Sequence, residues 1–121
     1  MTDRHQLAEL ADPEWPVVDS VVEYETGWYT GGYDLVEQPD GSTKRYYWAE
    51  LPPATVILGL TDDQLLFVEQ YRPTIRETQR ELPAGIVEPG EDFCDAAERE
   101  LAEETGFAPA ETTLIEEFWC S

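Results

Sequence analysis

The sequence predicts a mixed α+β domain in which strands precede and follow one long helix. Three observations carry that class. Residues 20–71 hold short runs rich in β-branched and aromatic side chains, broken by Gly, Pro and Asp. Phe93–Thr105 is the convincing helix, with a stop or start signal at each end. After it, Phe118-Trp119-Cys120-Ser121 reads as the end of a further strand.

Taken in order, residues 1–19 show no period, with Pro13 and Pro16 around Trp15, and read as an irregular or weakly helical lead-in. Residues 20–52 form an N-terminal β-hairpin arm. Val21–Tyr24 and Trp28–Val36 supply strand residues, Gln38-Pro39-Asp40-Gly41 is a turn, and Lys44–Leu51 returns. Pro52-Pro53 then opens a core of residues 53–121. Ala54–Leu60 is a continuous apolar run, expected as a strand covered on both faces. Thr61-Asp62-Asp63 turns it, and Gln64–Tyr71 is its expected partner. Asp92 is placed to cap the helix, with Asp95 three residues on, and Gly106 supplies a left-handed stop.

Composition limits the function classes. The 121 residues carry 7 Lys or Arg against 27 Asp or Glu, a formal charge of −20, with 41% hydrophobic content for a core. That charge repels phosphate backbones, which argues against nucleic-acid binding. The longest clean apolar stretch is strand-sized, so no membrane partner is expected, and MTDRHQLAEL lacks a signal-peptide pattern. Cys94 and Cys120 sit in no metal-ligand pair, and a reduced cytoplasm is the expected compartment. Acidic residues spread along the whole chain, with a single lysine, suggest a salt-loving source in which high ionic strength screens self-repulsion.

Chemistry concentrates on the helix. At 100° per residue, Phe93, Cys94, Ala97 and Leu101 form an apolar stripe, while Glu100, Glu103 and Glu104 share an adjacent arc. Like charges three and four residues apart cost a few tenths of a kcal/mol per pair. A bound Mg²⁺, with Mn²⁺ as the variant, would compensate them with oxygen coordination that leaves room for phosphate. A Glu-rich face alone reads more readily as a solvated surface than as a metal site, above all in so acidic a chain.

The spacing around that face is more specific. Gly85, five residues, Glu91, seven residues, Arg99-Glu100-Leu101, one residue, Glu103-Glu104, one residue, Gly106-Phe107 resembles the Nudix box at every defined position. Upstream, Val68-Glu69-Gln70-Tyr71-Arg72-Pro73 and Glu81-Leu82-Pro83-Ala84-Gly85 look like the branch that cleaves ADP-ribose and related nucleoside diphosphate sugars. The resemblance implies a Nudix fold, a mixed sheet between helices in an α/β/α arrangement. With only 14 residues after Phe107, a C-terminally shortened version of that fold is expected here. It also implies a divalent-metal-dependent hydrolase giving a nucleoside monophosphate and a sugar phosphate, and a homodimer formed through the N-terminal arm.

By the same resemblance, Glu100 and Glu104 are the principal metal ligands, Glu103 a ligand or water-positioning group, and the Ala84 carbonyl a further ligand. Glu100, Glu103 and Arg99 make up the catalytic set, Arg99 orienting the carboxylates with Glu91 as its partner. Arg72 and Glu81 hold the nucleoside diphosphate, or are plain surface charges at a strand end. Gly85 and Gly90 let backbone approach the metal and diphosphate closely. Arg72, Arg76 and Arg80 form a small basic island, or simply solvated charges. Trp28, Tyr29, Tyr33, Tyr46, Tyr47 and Trp48 serve sheet packing or dimer contacts. His5, in the lead-in, is given no role. Two other readings share the box: a Nudix hydrolase for dinucleoside polyphosphates or oxidised nucleoside triphosphates, and a non-catalytic nucleotide-binding module.

Overall fold

The computed structural model describes residues 12–120. The chain divides into two compact units, Met1–Pro52 and Pro53–Ser121. His5 lies outside the described residues, as does most of the expected lead-in.

In the first unit three strands form an antiparallel meander: β1 (Val17–Glu25), β2 (Thr30–Glu37) and β3 (Thr43–Glu50). The three strand-forming runs of the expected hairpin arm thus all pair, as a meander rather than a simple hairpin. Its first strand starts at Val17, inside the stretch read as irregular. Pro16 ends the preceding turn, and the β-branched Val17 can then pair with the end of β2 opposite Val36, with Val18 at the irregularity before Asp19. At the β1–β2 turn the Thr26 hydroxyl accepts from the Trp28 and Tyr29 amides, a local bond that competes with continued pairing. The predicted Gln38–Gly41 turn joins β2 to β3, with Gly41 N–H donating to the Gln38 carbonyl at 2.8 Å. Tyr33 and Tyr47 meet edge to face across β2 and β3, and Arg45 lies over the Tyr33 ring. Trp28 stays 74% exposed.

The second unit holds short strands and the helix. β4 (Ala54–Val56) pairs with β9 (Ala84–Ile86), β5 (Leu60–Thr61) with β6 (Gln64–Leu65), and β7 (Val68–Arg72) with β8 (Glu77–Glu81). The expected pairing of Ala54–Leu60 with Gln64–Tyr71 is thus corrected. Only the tip of that hairpin forms, at β5–β6, where Asp62 and Asp63 both take positive φ as a two-residue primed turn requires. β4 instead takes β9, thirty residues on. Nor is the apolar run covered on both faces. Thr55 is buried, while Val56, Leu58 and Leu60 on the alternate face are exposed.

α1 (Phe93–Thr105) packs against β4 and β9. Both predicted caps are present. The Asp92 side chain accepts from Asp95 N–H, and Gly106 adopts φ +78° with its N–H on the Ala102 carbonyl. The packed face differs from the expected stripe. Ala96 and Leu101 are buried, whereas Phe93, Cys94 and Ala97 are only half-buried. A small residue at 96 lets the helix backbone approach the sheet, so a hydrophobicity-ranked stripe misses it. With Pro83 and Val87, Ala96 and Leu101 make up the core of this unit. No strand is formed among residues 107–120, contrary to the strand expected before Ser121, which lies outside the described residues.

Candidate active site

The loop between β9 and α1 is tied to the helix by one side chain. Arg99 Nε and Nη2 donate to the two oxygens of Glu91 at 2.8 and 2.9 Å, a bidentate fork. Nη2 also donates to the Ile86 carbonyl at 2.9 Å, and Nη1 to Glu100 at 2.8 Å and Glu103 at 3.5 Å. All five guanidinium donors thereby find acceptors. Glu91 Oε2 accepts a further bond from Glu88 N–H, which closes the loop on itself. The bond from Arg99, helped by the Glu88 amide, pulls the Glu91 carboxyl down to about 2. Glu91, and next Glu100, push the Arg99 pKa up in turn.

Sheet register decides how β9 faces the helix. Ile57 N–H bonds the Pro83 carbonyl and Val87 N–H bonds the Pro53 carbonyl, so the hydrogen-bonded pair between them is Thr55 with Gly85. Ala84, one residue over, sits in a non-hydrogen-bonded pair with Val56, so its N–H and C=O both point away from β4. The N–H meets Glu104 Oε2 at 3.3 Å. Gly85 leaves room for Glu100: a Cβ there would lie 1.9 Å from the Glu100 Cδ. Glu100 is thus held between a backbone notch and Arg99, with its side chain 14% exposed. Glu103 is 60% exposed.

The strand pair β7–β8 carries the second set. Arg72, opposite Glu77 in the register, reaches back to Glu81, with Nε 2.9 Å from Oε1. That bond raises the Arg72 pKa and lowers that of Glu81. The structure thus brings Arg72 and Glu81 together, and the charge of Glu104 adds to the field at Arg72. The expected basic island is interleaved with acid: Arg80 pairs with Glu69 at 3.8 Å, and Arg76 occupies the β7–β8 turn at φ +58°. An open concavity of about 460 Å³ adjoins Glu104, walled by residues 66–70, Thr105 and Phe107.

Among the described residues no three His, Cys, Asp or Glu side chains converge tightly enough to hold an ion as they stand. The groups expected as ligands, the Glu100, Glu103 and Glu104 carboxylates and the Ala84 carbonyl, offer only oxygen, which is the donor type hard divalent cations take. Four contacts escape a reading of spacing alone: the Ile86 carbonyl, the Glu88 amide, the Ala84 N–H on Glu104, and Gln70, whose Nε2 lies 3.5 Å from Glu104 Oε1. Backbone partners leave no trace in side-chain identity. Gln70 had a usable signal, since it stands two residues before Arg72 on the same face of β7.

Comparison with known proteins agrees with this geometry. Residues 50–120 match the NUDIX domain family. The chain is 37% identical over 87 residues to an ADP-ribose pyrophosphatase of Bacillus subtilis, covering 71% of this chain and 47% of that protein. It is 40% identical over 75 residues to a methanol dehydrogenase activator of Bacillus methanolicus, covering 61% and 40% respectively. The chain therefore spans less than half the length of these curated relatives. In fold it is similar to a solved ADP compounds hydrolase, at a TM-score of 0.72 and 23% identity over 84% of this chain and 56% of that one. The matched region contains the whole loop–helix with its Arg99 network and both of its caps, and the chain belongs to the NUDIX domain family.

Proposed function

We propose that this chain carries the diphosphate-cleaving centre of a divalent-metal-dependent hydrolase for ADP-ribose or a related nucleoside diphosphate sugar. The products would be a nucleoside monophosphate and a sugar phosphate. The observation that carries the reading is the Arg99 network, which fixes Glu100 in the Gly85 notch while Glu104 rests on the Ala84 amide. The relative named an ADP-ribose pyrophosphatase supports the substrate class.

In this reading Glu100, Glu104, Glu103 and the Ala84 carbonyl hold Mg²⁺, or Mn²⁺ in its place. The cation supplies charge neutralisation and polarises the phosphoryl oxygens. Arg99 contacts no substrate; it sets the angle of Glu100 and anchors the loop from Ile86 to Glu91. Glu103, the most exposed of the three carboxylates, has the freedom to close on the site or to orient the attacking water. Arg72 offers its remaining N–H groups to the diphosphate, held in place by Glu81. A homodimer through β1–β3 is supported by the exposed Trp28 and Tyr47. A reducing cytoplasm suits the two free cysteines, and a high-salt habitat suits the charge of −20. Among the described residues no helix is long and apolar enough to cross a membrane.

The test is product analysis by phosphorus NMR. ADP-ribose incubated with the chain and Mg²⁺ should give AMP and ribose phosphate in equal amounts, and chelator should stop the reaction. Cleavage of dinucleoside polyphosphates or oxidised nucleoside triphosphates, with ADP-ribose left intact, would move the assignment to another Nudix substrate. A second reading, a nucleotide-binding module that regulates a partner, is favoured by the relative named as an activator of another enzyme. It predicts ADP-ribose binding with no products at all.

A further inference from the structure

We infer that Gln70 is a positioning residue for Glu104, an inference that rests on the reading of Glu104 as a metal ligand. Gln70 is half-buried on β7, opposite Gln79 of β8, and its side-chain amide points to Glu104 Oε1 at 3.5 Å. The other oxygen, Oε2, accepts from Ala84 N–H at 3.3 Å. Two donors from two separate strands thus grip the two oxygens of one carboxylate and fix its plane. Each oxygen keeps a lone pair beyond the one engaged. Glu103 differs in the number of donors and in exposure: among the described residues Arg99 alone donates to it, at 3.5 Å and to one oxygen, and its side chain is 60% exposed.

The chemistry of the donor matters as much as its place. Glu100 meets a cation, Arg99, which offsets part of its charge. Gln70 and Ala84 are neutral donors, so they orient Glu104 without a direct ion pair, and Arg72 acts on its charge only through space. Outer-shell partners of this kind hold a ligand in the geometry the ion needs, and their loss weakens binding roughly 10–100-fold. A bond as long as 3.5 Å places Gln70 at the lower end of that range. Because Val68, Gln70 and Arg72 share one face of β7, the strand that carries the substrate-side arginine also sets the angle of the helix carboxylate.

Mn²⁺ binding to the 121-residue chain without substrate, followed by electron paramagnetic resonance, tests this. Gln70→Met keeps length and removes the donor; it should bind Mn²⁺ about tenfold more weakly at an unchanged unfolding temperature. Gln70→Lys keeps a donor but adds charge; it should unfold no earlier than the parent chain and bind Mn²⁺ more weakly still. In a Glu104→Gln background, Gln70→Met should have no further effect. Parent-like Mn²⁺ binding by Gln70→Met, full rescue by Gln70→Lys, or an equal loss in the Glu104→Gln background would overturn the positioning role. Parent-like binding by Glu104→Gln itself would instead remove the ligand reading on which the role depends.

Discussion

Replacing Gly85 by alanine puts a methyl carbon 1.9 Å from the Glu100 Cδ and 2.3 Å from both of its carboxylate oxygens. Carbon atoms in contact stand about 3.5 Å apart, so one partner must give by roughly 1.6 Å. β9 is held at Gly85 by its hydrogen-bonded pairing with Thr55, which is 8% exposed, and cannot retreat. The carboxylate at the end of a flexible side chain moves instead, and its 2.8 Å bond to Arg99 is lost. Overpacking of this size costs about 1–2 kcal/mol, or about 3–8 °C in unfolding temperature for a domain of this length. A displacement beyond 1 Å at a reacting centre costs a larger factor, on the order of 100-fold in rate. The expected signature of Gly85→Ala is therefore a folded protein with a modest thermal shift and very little turnover of ADP-ribose. Circular dichroism melts and initial rates measure the two sides. An alanine variant turning over within threefold of the parent chain would refute the argument, because Glu100 would then not need the notch.

Other consequences can be checked on stability alone. Glu91 is held at about 2 against an ordinary 4.5, so its pairing contributes fully above pH 4.5 and is lost as pH falls through 2; denaturant unfolding should show the gap between the parent chain and Glu91→Gln closing across that window, and a constant gap would count against it. Asp92→Ala removes the cap bond to Asp95 N–H and should cost about 1 kcal/mol. Gly106→Ala forces a Cβ onto a residue at φ +78° and should cost about 1–2 kcal/mol, read in chemical denaturation. Raising KCl from 0.1 to 1 M shortens the screening length from about 10 to about 3 Å, so the unfolding temperature should rise if self-repulsion at −20 opposes folding; a flat or falling trend would dismiss the salt-loving reading.

The parts of the fold that local chemistry specifies were legible in the chain. Asp92 and Gly106 mark the ends of α1 because capping is decided within a few residues, and Asp62-Asp63 marks its turn for the same reason. Pairing across distance was not. Nothing in Ala54–Val56 says that its partner is Ala84–Ile86 rather than the next apolar run. An apolar stretch shows what favours burial and not what covers it, which is why Val56, Leu58 and Leu60 were misplaced. Within the site, the structure brings Glu91, Arg99 and Glu100 together as the family resemblance implied, while the pairing of Arg72 with Glu81 across β7 and β8 was not expected from the sequence. Contacts made by backbone groups, at Ile86, Glu88 and Ala84, depend on loop and strand geometry that residue identity does not encode.

The most direct measurement compares ADP-ribose cleavage by the chain and by Glu104→Gln, side by side with Mg²⁺ in molar KCl. The substitution keeps the size of the side chain and removes one charge from the face that Gln70 and Ala84 orient. The account predicts a rate at least 100-fold lower in the variant at a matched unfolding temperature, a loss of the size expected when a group that stabilises transition-state charge is removed. Equal rates in the two proteins would contradict it, because the chemistry would then lie somewhere other than this helix.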